Sequence, residues 1–213
     1  PEAGLAVTGP IAQRMASVVR PFWRSKVTPM AAVAGSVADE MLCAMCAAAD
    51  LSRAYVNNGG DIALHLAAEE TFSIASANGP VAVRSTDPVR GIATSGWRGR
   101  SFSFGIADSV TVLAATAAQA DIAATLIANE VDLPRSIKVR RAPAAALYPD
   151  SDLGQRRVTV EVAELTDAEV STALARGLEF AGQLQMRGLI VAATLGLNDE
   201  IRTLEAGSAM TGV

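Results

Sequence analysis

The chain has 213 residues, a formal net charge of −4 and a pI near 5.1, long enough for one large domain or two small ones that bury most of their apolar surface without staples. Half of the residues are hydrophobic, only 4% are aromatic, and alanine supplies about a fifth of the whole, so the interior is packed from small side chains. The 19% of charged residues are of interspersed sign, which excludes a disordered chain, and no basic run exceeds Arg140-Arg141 or Arg156-Arg157, which excludes a nucleic-acid binder on charge grounds.

In chain order, Gly9-Pro10 predicts a turn and Ile11 to Val19 a short helix ending before Pro21. Thr28-Pro29 predicts a helix start with a hydroxyl cap, followed by a buried helix of Ala, Gly and Ser running to about Ala49. Ala54-Tyr55-Val56 and Ile62 to Leu66 read as two strands joined at Asn57-Asn58-Gly59-Gly60-Asp61. Residues 71–76 and 80–84 read as two more, joined at Asn78-Gly79. Arg90 to Ser103 is rich in Gly, Ser and Arg, and 108–114 is a buried strand. Thr116 with Gln119 forms a capping-box pattern that opens a helix to about Val131. Residues 132–156 read as an irregular connection and 157–162 as a strand. Thr166 with Glu169 is a second capping box, opening a helix to about Arg187. A last strand covers 188–195, and 198–213 reads as a tail. Strands and hairpins interleaved with three long helices make the class α+β, with antiparallel or mixed sheets. The pattern shows one domain over 1–197; the chain opens at Pro1 without Met, which leaves room for residues upstream.

Two cysteines and one histidine exclude a disulfide scaffold and a Cys/His zinc site. No stretch reaches the ~18 uncharged apolar residues of a membrane helix, and the start carries no signal-peptide pattern, so a cytoplasmic setting is expected. Cys43 and Cys46 have redox spacing but read as small buried side chains within a helix. His65 alternates with Leu64 and Leu66 and falls on the more polar strand face.

Three segments could carry chemistry. At Asn57-Asn58-Gly59-Gly60-Asp61, paired glycines let backbone N–H groups approach an anion and Asp61 could accept from a ribose hydroxyl; the same letters also spell a plain type I′ hairpin. Gly91 to Ser101 combines Thr94, Ser95, Gly96, Trp97, Arg98 and Arg100, with guanidinium forks for phosphate and an indole for stacking. Asp121 and Thr125 lie four apart on one helix face, oxygen donors suited to Mg²⁺ or Ca²⁺, although a dipole-paired Asp and a back-bonded Thr would look the same.

Taken together, Gly9 to Ala12, Thr28 to Gly35, Ala54 to Leu64, Gly91 to Arg100, Gly105 to Asn129 and Asp150 to Gly154 resemble the ApbE-like superfamily, in a branch related to the FAD:protein FMN transferases. The resemblance covers most of residues 9–195. It implies an α+β architecture related to tunnel-forming T-fold domains. It further implies Mg²⁺ held by Asp121 and Thr125 with a backbone carbonyl, nucleotide contacts from Gly59, Gly60 and Asp61, and a flavin pocket lined by Thr94, Ser95 and Gly96. The transferases carry a histidine in an HxxDP-like stretch; residues 101–108 hold none, and Asp108 is the loose match to its aspartate. Asp108 or Asp61 would then be the base in FAD pyrophosphate cleavage or FMN transfer to a protein acceptor. Arg98 and Arg100 point to a different anionic ligand. What is known of the branch adds an accessory role in sulfur assimilation and homocysteine formation beside ferredoxin-like partners, and a non-catalytic nucleotide- or anion-binding module is the third reading. A homodimer is the default assembly.

Overall fold

The computed structural model describes residues 7–25, 27–76 and 79–207. It is an α+β chain dividing into two compact units, Pro1–Ala93 with Leu113–Asp121, and Thr94–Val112 with Ile122–Val213. Each unit is built from two separate stretches of sequence, so no linker marks the division.

The first unit opens with α1 (Pro10–Val19), with Pro10 at the first helical position behind Gly9, whose φ of 93° is left-handed. A 3₁₀ stretch (Arg20–Ser25) and a second one (Pro29–Ala32) lead into α2 (Val33–Ala48). The expected continuous helix from Thr28 is thus broken into a tight turn and an α-helix, and the Thr28 hydroxyl makes no cap bond. Nor is α2 buried all round. Gly35, Ser36, Ala38 and Leu42 face inward, while Met41, Cys43 and Met45 are exposed. Cys43 and Cys46 are therefore not a buried pair: only Cys46 is partly covered, against the alanine-rich core of Ala38, Leu42, Ala54, Ala63 and Ala117. By length and composition Pro29–Ala48 is apolar enough to cross a membrane, with Asp39 and Glu40 at its middle both engaged within the unit.

Strands β1 (Arg53–Asn58) and β2 (Asp61–Leu66) form an antiparallel hairpin in the register Asn58↔Asp61, on which α2 packs. A second hairpin joins β3 (Thr71–Ser76) to β4 (Gly79–Arg84); the expected Asn78 turn position lies outside the described residues. β5 (Gly91–Ser95) pairs with β2 through Ile62↔Ile92, and the unit's strand order is β1-β2-β5-β6, with β6 spanning Ser109–Ala114.

In the second unit the order is β5-β6-β9-β10. α3 (Ala117–Glu130), shared in sequence between the units, brings Ile122 and Ile127 into this core. The stretch read as irregular holds β7 (Val139–Pro143) and the short α4 (Ala144–Leu147); β7 pairs with β8 (Arg157–Val162) through a bulge at Arg140/Arg141. Prolines at 134, 143 and 149 hide this strand from a pattern reading. α5 (Asp167–Met186) starts as expected on a complete Thr166/Glu169 capping box. Lys138 donates to Glu169 at 2.7 Å, and that bond with the cap holds the Glu169 carboxyl down at about 2. The last strand expected over 188–195 is β9 (Ala192–Leu197), and the expected tail contains β10 (Glu200–Leu204), reached through a tight turn in which Asn198 takes a φ of 51°. Asparagine tolerates that conformation, so Asn198-Asp199 was a readable hairpin signal.

Close backbone approach sets one energetic constraint. A Cβ at Gly35 would stand 2.3 Å from the Ala117 carbonyl oxygen, an impossible separation involving backbone on both sides. Gly182, inside α5, has nothing within 4 Å. Gly35→Ala is expected to destabilise by about 1–3 kcal/mol or more, and Gly182→Ala to stabilise by about 0.5–1 kcal/mol. Urea unfolding of the two variants checks both signs.

Candidate functional site

Unit one brings two of the candidate segments together. Gly59 and Gly60, with φ of 71° and 113°, form the two-residue turn between β1 and β2, and Asn57 Oδ1 accepts the Gly60 N–H at 2.8 Å. Both positive φ angles match a type I′ turn, which explains the glycines by conformation alone. A Cβ on Gly60 would meet nothing within 4 Å, so no close approach requires it. Asn58 Nδ2 donates to the Ala34 carbonyl at 3.1 Å, tying the hairpin to the start of α2.

Asp121 reaches the same place from α3. Its Oδ2 accepts the Gly35 N–H at 2.9 Å, and the Ala34 N–H also hydrogen-bonds the carboxyl. Ala32, the residue before α2, offers no side-chain cap, so Asp121 caps α2 from another element. Asp39 returns the favour: its two oxygens accept the N–H groups of Ala117 and Ala118 at 3.0 Å each, at the start of α3. Thr116 adds the local cap, accepting from Gln119 N at 3.2 Å. Each helix thus begins on a carboxylate supplied by the other, where the helix dipole favours negative charge.

The two acids pay unequally for burial. Desolvation raises the Asp39 carboxyl above its ordinary value against the N–H bonds from Ala118 and Ala117 and the charge of Arg14, which lower it. Asp121 is pushed up to about 8, first by desolvation and then by the charge of Asp61, against only two backbone N–H groups. Two neighbouring carboxylates in a dry setting do not both ionise readily, which is why the Asp121 carboxyl holds its proton above the ordinary carboxylate range. Among the described residues no group of three or more His, Cys, Asp and Glu side chains gathers to hold a metal, so any cation there would rest on this pair with backbone oxygen or a ligand. Thr125 is partly buried on α3 and belongs to the second unit.

The second unit places the third segment. Thr94 is exposed and its hydroxyl meets that of Thr111 at 2.8 Å; Ser95 is half-buried, and Gly96 is buried with its Cβ position 2.3 Å from the Asp108 carbonyl oxygen. Asp108 gathers the turn that follows: Arg98 Nε donates to Oδ1 at 2.7 Å, Trp97 Nε1 donates to Oδ1 at 3.3 Å, and the Asn198 N–H donates to Oδ2 at 2.7 Å. Arg98 also lies over the Trp97 ring, 4.9 Å from its centroid. Asp108 is thus a junction joining the Trp97–Arg98 turn to the β9–β10 turn. Arg100 is exposed. A helix cap reaching across 86 residues, from Asp121 to Gly35, and a turn contact across 90, from Asp108 to Asn198, leave no mark in local sequence.

Comparison with known proteins identifies the family. The model described as AbpE bacteria matches residues 2–203, and the chain belongs to that family. It is similar to the UPF0280 protein of Methanothermobacter thermautotrophicus, 39% identical over 136 residues, covering 61% of this chain and 52% of the relative. The UPF0280 protein of Methanothrix thermoacetophila is 38% identical over 136 residues (61% and 55%), and that of Methanosphaerula palustris 40% over 128 (57% and 52%). The chain spans about half the length of the curated relatives it matches. These matches overturn the ApbE-like resemblance: the family shown is that of the AbpE bacteria model, and the similar relatives are UPF0280 proteins, whose names carry no transferase activity. The structure supplies the physical reason. The glycines that carried the resemblance have local duties, with Gly59 and Gly60 making a turn, Gly91 leaving no room for a Cβ (2.0 Å from the Thr116 carbonyl carbon) and Gly96 packing on Asp108.

The raised Asp121 carboxyl has a thermodynamic signature. A carboxyl whose folded pKa exceeds its unfolded value of 3.8 binds more protons when folded, so the contribution of Asp121 to stability is greatest at low pH and falls as pH rises from about 4 to about 8. In chelator-treated protein, stability is expected to fall by a few kcal/mol over that window, and Asp121→Asn is expected to flatten the slope. Denaturant unfolding at stepped pH measures both.

Proposed function

We propose that this member of the AbpE bacteria family binds a divalent cation, Mg²⁺ first, through Asp121 and Asp61, and through it the phosphates of a nucleotide. The observation that carries the reading is the Asp121 carboxyl, pushed up to about 8 beside a second acid. Such a pair holds a proton that a divalent cation replaces, and hard carboxylate oxygen suits Mg²⁺. The residues fit the ion in chemistry: the two groups that lower the Asp121 carboxyl are neutral N–H dipoles, and carboxylate oxygen is a hard donor. When bound, the cation would neutralise phosphate charge. This chain's own contribution is to fix the acids: Asp121 by Gly35 and Ala34, and the turn before Asp61 by Asn57 and Asn58.

FAD and ADP are the probes of choice, since both present a diphosphate. The support is for binding. FMN transfer or pyrophosphate cleavage needs a base, and the one histidine, His65, already has Nε2 2.8 Å from the Leu51 carbonyl oxygen.

Titration calorimetry of chelator-stripped protein at pH 7 tests the reading. Mg²⁺ is expected to bind one site with release of about one proton, seen as a dependence of heat on buffer ionisation, and FAD or ADP to bind only with Mg²⁺ present. Asp121→Asn is expected to lose the Mg²⁺ heat. Absence of Mg²⁺ binding, or unchanged binding in Asp121→Asn, overturns the assignment.

A further inference from the structure

A second feature of the first unit lies outside the Asp121–Asp61 pair. An open depression of about 260 Å³ is lined by Arg14, Arg90, Thr116 and Cys43, with Leu42 and Leu64 as an apolar wall. We propose that it binds a small organic anion, a carboxylate or phosphate monoester on an apolar body.

Arg90 carries the argument. Its guanidinium donates to three backbone carbonyls, Asp87 and Ser85 and Val89, at 2.6–2.7 Å. These bonds hold the group rigidly but bring no negative charge to it, and among the described residues no ion pair includes Arg90. A guanidinium held by neutral carbonyls alone, on a residue that lines the depression, is an anion anchor.

Arg14 adds a second cation. Its Nη2 donates to Glu40 at 3.0 Å, yet its Nε is buried without a hydrogen-bond partner. A buried unpaired donor costs about 1–3 kcal/mol, and a small turn of the guanidinium towards an anion in the depression would relieve it. Thr116 supplies a hydroxyl that accepts from Gln119 N and keeps its own proton to donate. Asp39 also lines the wall, where each of its oxygens accepts one N–H group at the start of α3 and the Arg14 charge lies close enough to lower its carboxyl. The volume holds a body of a few carbons against Leu42 and Leu64.

Cys43 reports on occupancy, because it is exposed and lines the depression. In Cys46→Ser protein, alkylation of Cys43 by neutral iodoacetamide is followed with added butyrate or phosphate, against chloride at equal ionic strength. The expected result is a saturable slowing of about five-fold or more by one anion or both. Slowing by butyrate alone places the ligand among carboxylates, and by phosphate alone among phosphate esters. Arg14→Gln is expected to weaken the protecting anion about ten-fold, with Arg14→Lys as the second variant should the first unfold. No slowing by either anion, or equal slowing by chloride, overturns the proposal. Mg²⁺ titration of the same protein reads the Asp121 site separately, so failure of one leaves the other standing.

Discussion

Helices α2 and α3 begin on each other's carboxylates. Asp121 of α3 receives the N–H of Gly35 near the start of α2, and Asp39 of α2 receives those of Ala117 and Ala118 at the start of α3. The exchange needs the two backbones close together, which is why Gly35 has no room for a side chain against Ala117. Helix dipoles favour the negative groups at both ends, while burial opposes their ionisation. For Asp39, two N–H groups and Arg14 offset much of the cost; for Asp121 a second acid adds to it. The same clamp that positions Asp121 leaves it short of positive charge.

That shortage links architecture to chemistry. The β1–β2 turn brings Asp61 near Asp121 because Asn58 ties the hairpin to Ala34, and Ala34 and Gly35 are the residues that hydrogen-bond Asp121. Hairpin, helix start and carboxyl form one hydrogen-bonded corner. In the second unit Asp108 plays a comparable part with a different outcome: Arg98 supplies the charge, so the junction is complete within the chain.

Local signals were legible where local chemistry decides structure. The Thr166/Glu169 box opens α5, and the Asn-Gly-Gly turn makes a hairpin. Asp61 and Asp121 could be singled out as acids in suggestive settings, but their proximity depends on contacts between residues far apart in sequence. The alanine-rich composition of α2 does not reveal its exposed face, because alanine fits an exposed face as readily as a core, leaving Cys43 and Met45 outside. β7 escaped notice among prolines, and β10 was hidden behind Asn198. Arg90 gave no sign at all, since three carbonyls of its own loop hold it.

The central claim is that Asp121 keeps its proton at neutral pH in the absence of a cation. Carbon-13 NMR of the aspartate carboxyl carbons, assigned by comparison with Asp121→Asn, reads this directly. The account predicts a midpoint near 8 for Asp121 in metal-free protein, moving down when Mg²⁺ is added. A midpoint near the ordinary 3.8, unmoved by Mg²⁺, would contradict it.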